Sequence, residues 1–333
     1  MNAFSNHLET AVLNHLLRGT AYQKPGSFWI ALFTANPGDA GTDNECTGGS
    51  YARVEVVNNK TNFPPCTTTN PPVKTFGESI LFPTATAAWG TVTHWAAYDA
   101  PSAVTFAAGT TNASTTVTVA DTSALRVGMT ITGSGIPAST VITAITTNTN
   151  ITISNAATAT ASVTLTVAPK MIVHGPLATK RFVKTGKTPK IQGGTLEISI
   201  PSGPDGGLTY YAQRGILDHI FGNLTLSSPA TVYTGFGTTS IDSTMEEWTD
   251  DSYSRQATAF SAPSNGIVSN SSDETYTSVD GVSDGAVTLR SVGVWDDDNA
   301  GHALFYGNLR RDLSMSNTDL LKILAGQLSI ALQ

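Results

Sequence analysis

Two stretches of this 333-residue chain are written in the same order, and that repetition limits the fold more than any single motif does. Leu13-Asn14-His15-Leu16-Leu17-Arg18 is similar to Leu217-Asp218-His219-Ile220-Phe221-Gly222, 204 residues later. The same offset pairs Pro25 with Pro229 and Thr34 with Thr238. Ser50-Tyr51-Ala52-Arg53 matches Ser252-Tyr253-Ser254-Arg255 at an offset of 202, and Ala97-Tyr98-Asp99 matches Val294-Trp295-Asp296 at 197. A last block pairs Gly175, Leu177, Lys190-Ile191 and Gly194-Thr195-Leu196-Glu197-Ile198 with Gly307, Leu309, Lys322-Ile323 and Gly326-Gln327-Leu328-Ser329-Ile330, all at 132. Four blocks in one order imply two copies of a module. The fall in offset from 197 to 132 leaves 65 extra residues in the first copy. The expected organisation is a discontinuous first module over 1–100 and 170–200, an inserted domain over 101–169, and a diverged second module over 201–333.

The insert has its own character. It holds 19 Thr, and its only charges are Asp121 and Arg126. Thr116-Val117-Thr118-Val119, Met129-Thr130-Ile131-Thr132, Asn150-Ile151-Thr152-Ile153 and Ser162-Val163-Thr164-Leu165-Thr166-Val167 alternate polar and apolar residues, as strands with one buried face do. Gly133-Ser134-Gly135 and Ile136-Pro137 mark turns. The reading is a small all-β domain whose ends lie close together, so that the host module tolerates it.

Each module opens with a helix. Leu8, Ala11, Val12, His15 and Leu16 recur at helical spacing, as do Ala212, Gly215, Ile216, His219 and Ile220. Asn6 with Glu9 predicts a capping box, and Gly19 a stop. Strand-like runs follow: Phe28–Thr34, Tyr51–Val57, Ile80–Phe82, Thr91–Tyr98, Met171–His174 and Thr195–Ile200, then Val232–Phe236, Val287–Trp295, Leu304–Tyr306 and Gln327–Leu332. The predicted class is α+β, mostly β: two helix-plus-antiparallel-sheet, sandwich-like modules and a small all-β insert.

Composition excludes several roles. Only 13% of residues are charged, 50 are Thr, and the net charge is −7, which removes the main electrostatic term for binding nucleic acid. No apolar run reaches the roughly 18 residues of a membrane span. Met1–His7 shows no basic segment leading into an apolar one, so synthesis in a cytoplasm is expected.

None of the six His lies in a metal-binding spacing. His15 and His219 are equivalent in the repeat; a half-buried imidazole bonded to a backbone carbonyl is favoured over a paired metal site. Cys46 and Cys66 flank a Pro- and Asn-rich loop and are the one disulfide candidate. Glu246-Glu247-Trp248-Thr249-Asp250-Asp251 and Asp296-Asp297-Asp298-Asn299 gather oxygen ligands, which makes Asp296, Asp297 and Asp298 weak Ca²⁺ candidates. The second run lacks the spacing of a helix-loop-helix site, and a solvated turn is favoured. Glycosidase chemistry is disfavoured, because no carboxylate sits in an apolar setting and copy one has no matching pair. Lys180, Arg181, Lys184, Lys187 and Lys190 form the only basic cluster. They read as an exposed loop, facing water or else an acidic neighbour or a lipopolysaccharide phosphate. No phosphate loop, dinucleotide fingerprint or nucleophile elbow is present, so no cofactor is expected.

Ser5-Asn6-His7-Leu8-Glu9, Arg18-Gly19-Thr20-Ala21-Tyr22, Ala31-Leu32-Phe33-Thr34-Ala35-Asn36-Pro37-Gly38-Asp39-Ala40-Gly41, Gly49-Ser50-Tyr51-Ala52-Arg53, Phe82-Pro83-Thr84 through Trp89-Gly90-Thr91-Val92-Thr93-His94, and Gly194-Thr195-Leu196 carry a resemblance. Together they resemble a family of bacteriophage virion proteins often labelled phage tail fibre proteins. The resemblance covers about residues 3–100 and 171–200. Copy two keeps Tyr253, Arg255, Gly307 and Gly326 but lacks the Pro-Gly-Asp-Ala-Gly and Trp-Gly-Thr stretches. A fused pair departs from the family's usual single module, and the insert resembles the Thr-rich β repeats of phage and bacterial surface proteins.

The resemblance implies a non-enzymatic virion structural protein, tail- or tail-fibre-associated, that assembles with other virion proteins and attaches to a host. The alternatives are a head decoration protein, or a glycan- or receptor-binding module acting through 101–169. The implied partners are tail, portal-proximal or capsid subunits, further copies of the chain, and a host surface glycan or receptor. The implied location is the virion, assembled in the bacterial cytoplasm.

Overall fold

The computed structural model describes residues 3–332 except 40–42, 139, 201–202, 204–205, 223, 240–244, 250–252, 277–286 and 317–318. The described residues form two helices and a series of antiparallel sheets, as the alternating patterns require. No described helix is long and apolar enough to cross a membrane.

One five-stranded sheet runs, edge to edge, Ala3–Phe4, Met171–Val183, Gly90–Tyr98, Ser27–Phe33, Val54–Val57. A second runs Gly206–Leu208, Ala303–Met315, Val287–Trp295, Val232–Gly237, Gln256–Thr258. The sequence offsets reappear in the pairing. Trp29 faces Tyr98 in the first sheet, as Tyr233 faces Trp295 in the second. Val173 faces Ala97, as Phe305 faces Val294. The two-stranded ladders agree as well: Val73–Thr75 with Glu197–Ser199 corresponds to Ile267–Ser269 with Ser329–Ala331.

Helix α1 spans Asn6–Leu17 and α2 spans Tyr210–Ile220. The predicted capping box on Asn6 and Glu9 does not form. Ser5 caps α1 instead: its Oγ accepts from Leu8 N at 3.2 Å and donates to the Met171 carbonyl, while Asn6 is exposed. Thr209 does the same for α2, accepting from Ala212 N at 3.2 Å and donating to the Ala303 carbonyl at 2.6 Å. Each hydroxyl thus answers an orphan helix N–H and fastens the helix start to the first residue of the longest strand of its sheet. Past α1, Arg18 N and Thr20 N both bond the Asn14 carbonyl, with Gly19 at φ +65°.

Residues 104–167 build a sheet of their own, ordered Ile142–Thr146, Asn150–Ile153, Thr116–Val119, Val104–Thr110, Ala161–Val167, Ile131–Gly133. Val117, Val119, Ile131, Ile142, Ile151, Ile153, Leu165 and Val167 form its core with Leu125 and Met129, while the intervening Thr105, Thr116, Thr118 and Thr164 are exposed. Val104 pairs with Val167, so the chain enters and leaves side by side. At this neck Asp99 N bonds the Lys170 carbonyl at 3.1 Å, and Lys170 N bonds the Asp99 carboxyl at 2.7 Å.

The chain packs as two compact units whose membership departs from chain order. One holds 1–8, 23–62 and 77–196; the other holds 9–22, 63–76 and 197–333. Most of α1 and the strand Val73–Thr75 therefore pack with the C-terminal third, whereas the repeat assigns them to the first module. Sequence similarity follows copying; packing follows burial, and here the two divide the chain differently.

Candidate functional site

The repeated Tyr-x-Arg motif builds the same polar cluster in each five-stranded sheet. Arg53 forks onto Glu45, with Nε–Oε1 at 2.9 Å and Nη2–Oε2 at 2.8 Å. Tyr51 donates to Glu45 at 3.0 Å and accepts from Leu32 N at 2.9 Å, and the guanidinium lies 3.6 Å from the Tyr98 ring centroid. In the second sheet Arg255 forks onto Glu247 at 2.8 and 2.6 Å. Tyr253 donates to Glu247 at 3.2 Å and accepts from Phe236 N at 2.8 Å, and Arg255 lies over Trp295 at 4.4 Å. Burial pushes both Tyr hydroxyls above their ordinary range. A bidentate, ring-stacked guanidinium is a rigid clamp; it holds its protons and offers none for catalysis. Glu45 had no sequence signal beyond standing eight residues before Arg53; Glu247 was singled out as part of an acidic run with Ca²⁺-ligand character, and its carboxylate is taken by Arg255 instead.

His15 and His219 stack face to face, with ring centroids 4.8 Å apart and 20° between planes. Each Nδ1 accepts a backbone N–H seven residues on, from Tyr22 and from Leu226, both at 3.1 Å. The carbonyl bond expected for both forms only from His219 Nε2, to Tyr22 O at 3.3 Å. His15 Nε2 has no partner among the described residues. Burial, with His219 beside it, pushes His15 down to about 4. The lone pairs of near-parallel rings lie in plane and do not converge on one ion, so the pair is a stacked contact between the two helices.

Lys74 is fully buried. Its Nζ sits 2.6 Å from Asp218 Oδ1 and donates to the Pro64 carbonyl at 2.8 Å. Burial opposes ionisation of Asp218, but the Lys74 ammonium and the Cys66 N–H at 3.0 Å hold its carboxyl below the usual range. Phe63 meets Phe76 edge to face and Phe221 at a tilt.

The remaining sequence candidates scatter. Cys46 and Cys66 are both free and buried, one in each compact unit; burial pushes their thiols up to about 11 and about 12. Asp296 Oδ1 accepts from His302 N, and Asp297 Oδ1 accepts from Asn299 N and Ala300 N. These carboxylates close a turn, and Asp298 is exposed beside them. Among the described residues no group of three or more acidic, His or Cys side chains converges on a point. Asp250 and Asp251 of the other acidic run lie outside the described residues.

Two surfaces remain. One is a shallow depression of about 620 Å³ on the insert, lined by Gly109, Thr118, Asn148, Thr149, Ser162 and Thr164 among others. The other is the basic cluster, which lies, as expected, on an exposed loop, here an ordered one that joins strands of two different sheets. Lys180 and Arg181 end the strand Met171–Val183, Lys184 and Lys187 bound a turn with Gly186 at φ +76°, and Lys190 opens the strand Lys190–Ile191. All five are exposed.

The family model for podophage GP4 fiber I protein gp80 matches residues 3–133 and 207–331. No curated protein matches the chain. Among solved structures, phage phi92 endosialidase is similar at 10% identity with a TM-score of 0.19, over 82% of this chain and 54% of that one. The chain thus spans about half the length of that protein. The two matched stretches together cover more than half of the sequence, and on them the chain belongs to the podophage GP4 fiber I protein gp80 family.

Proposed function

We propose that the chain is a tail-fibre-associated structural subunit of a phage virion, made of two copies of one sheet module, that works by protein–protein assembly and without catalysis. The match of one fibre-family model to both halves carries this reading. The shared strand order and pairing of the two five-stranded sheets supports the duplication. Two like modules on one chain suit a site of pseudo-two-fold character, or a ring of halved symmetry order.

The insert is the attachment element in this reading. Its ends pair at Val104 and Val167, its core is its own, and its exposed residues include Thr105, Thr116, Thr118 and Thr164, whose hydroxyls hydrogen-bond sugars without charge. Phage carrying a chain with 103–168 replaced by a short Gly-Ser linker should assemble in normal yield and lose adsorption. Unchanged adsorption removes the attachment role. Protein stoichiometry of purified virions separates tail from head: a few to about a dozen copies are expected, whereas hundreds indicate head decoration.

A further inference from the structure

We propose that the exposed segment over 178–190, a strand end and the loop after it, binds a polyanionic glycan, one that carries phosphate or carboxylate groups along its length. Between Lys170 and Leu196 the sequence has six cations and no acid, in a chain of net charge −7. Among the described residues, none of Lys180, Arg181, Lys184, Lys187 and Lys190 makes an ion pair with the rest of the protein. Five cations held together repel one another, and an outside anion relieves that repulsion.

The second module shows what the same stretch looks like without this property. At the offset of 132, Lys180 becomes Asp312 and Lys187 becomes Asp319, and residues 310–322 hold three cations and two acids. Arg290 pairs with Asp312 at 3.2 Å and Lys322 with Asp273 at 2.7 Å. There the charge is compensated within the chain; in 178–190 it is left for a partner.

The backbone of this segment is also held in place. Phe182 and Val183 pair with Thr91 and Gly90. Gly186 N bonds the Ala85 carbonyl at 2.7 Å, Ala85 N the Lys187 carbonyl at 2.9 Å, and Phe82 N the Pro189 carbonyl at 2.9 Å. Backbone fixed this way leaves only the side chains to be ordered on binding. Phe182 stands 57% exposed between Arg181 and buried Val183, an apolar face beside charges. Protein interface cores are depleted in lysine and other charges, and four of these five cations are lysines. That composition favours a hydrated, anionic polymer over a docked protein. The short stretch of charges and the single exposed ring suit sugar units bearing anionic groups.

The inference rests on the attachment reading but not on the insert. Binding of the full chain is measured to lipopolysaccharide with intact core phosphates, to polygalacturonate, to neutral dextran, to polyglutamate and to a DNA duplex. A double variant, Lys180→Asp with Lys187→Asp, writes into this segment the residues the second module carries. At least one anionic glycan should bind and dextran should not, with affinity falling tenfold or more between 50 and 200 mM salt. The variant should lose tenfold or more while keeping its melting temperature. Equal binding by the variant, failure of both glycans, or polyglutamate or DNA binding as tightly as the better glycan each overturn the proposal. None of these outcomes bears on virion stoichiometry, so the assembly reading stands or falls separately.

Discussion

Lys74 sits where its chemistry is least at home: fully buried, with one carboxylate and one carbonyl to hold its ammonium. Taking one partner from a buried pair leaves the other charge uncompensated, at roughly 3–5 kcal/mol. Lys74→Met should therefore lower unfolding free energy in urea by about 3 kcal/mol, with Arg214 only 3.9 Å from Asp218 as partial relief. Arg290→Met breaks the exposed pair to Asp312 and should cost under about 1 kcal/mol. Equal losses would mean that the Lys74 site is wet. His15 makes a second residue-scale prediction. Its free value of 6.5 is pushed to about 4, so as pH falls from 6.5 to 4 the unfolded chain takes the proton first and stability drops. The drop reaches about 3 kcal/mol at most. Asp99, raised by burial to about 6, acts in the opposite sense, so the contribution is isolated by comparison. In His15→Asn the amide oxygen still takes the Tyr22 N–H, and the acid loss between pH 6.5 and 4 should shrink in chemical unfolding. Parallel curves for variant and wild type would contradict the assignment. His15 stood out in the sequence through its repeat partner His219, but the Lys74 site did not. A lone Lys and a lone Asp 144 positions apart read as solvated charges, because only the folded chain brings them together.

At the scale of elements, the helices and the alternating strands were legible because each follows one period. Their ends were not. The cap of α1 fell to Ser5 rather than Asn6, since a hydroxyl that also reaches the Met171 carbonyl does two jobs at once. The strands expected at Met171–His174 and Leu304–Tyr306 extend to Val183 and Met315. Their far halves are mostly exposed, so the apolar alternation that marks a strand stops before the backbone pairing does. The same blind spot hid that the basic loop starts on the far end of a strand. Caps on this pattern are testable. Thr209→Ala removes both the Ala212 bond and the bond to Ala303, and should cost about 1–2 kcal/mol in unfolding free energy. Thr209→Ser should restore most of it; a Ser variant as weak as Ala would mean that the hydroxyl is not what matters.

For the whole molecule, the repeated order of blocks was the sequence's most informative feature, because matching sheets need matching residues at their buried and clamped positions. The Tyr-x-Arg pairs stood out in the sequence, and their pairing with a Glu eight residues earlier did not. The division into compact units was beyond sequence reading, since it depends on where α1 and the strand Val73–Thr75 find their packing. The functional account turns on position in the particle. A cryo-EM map of the intact virion tests it most directly: density for the two five-stranded sheets should lie on the tail apparatus in low copy number, with the six-stranded insert facing outward. The same density distributed over the head in hundreds of copies, or missing from the particle, would contradict it.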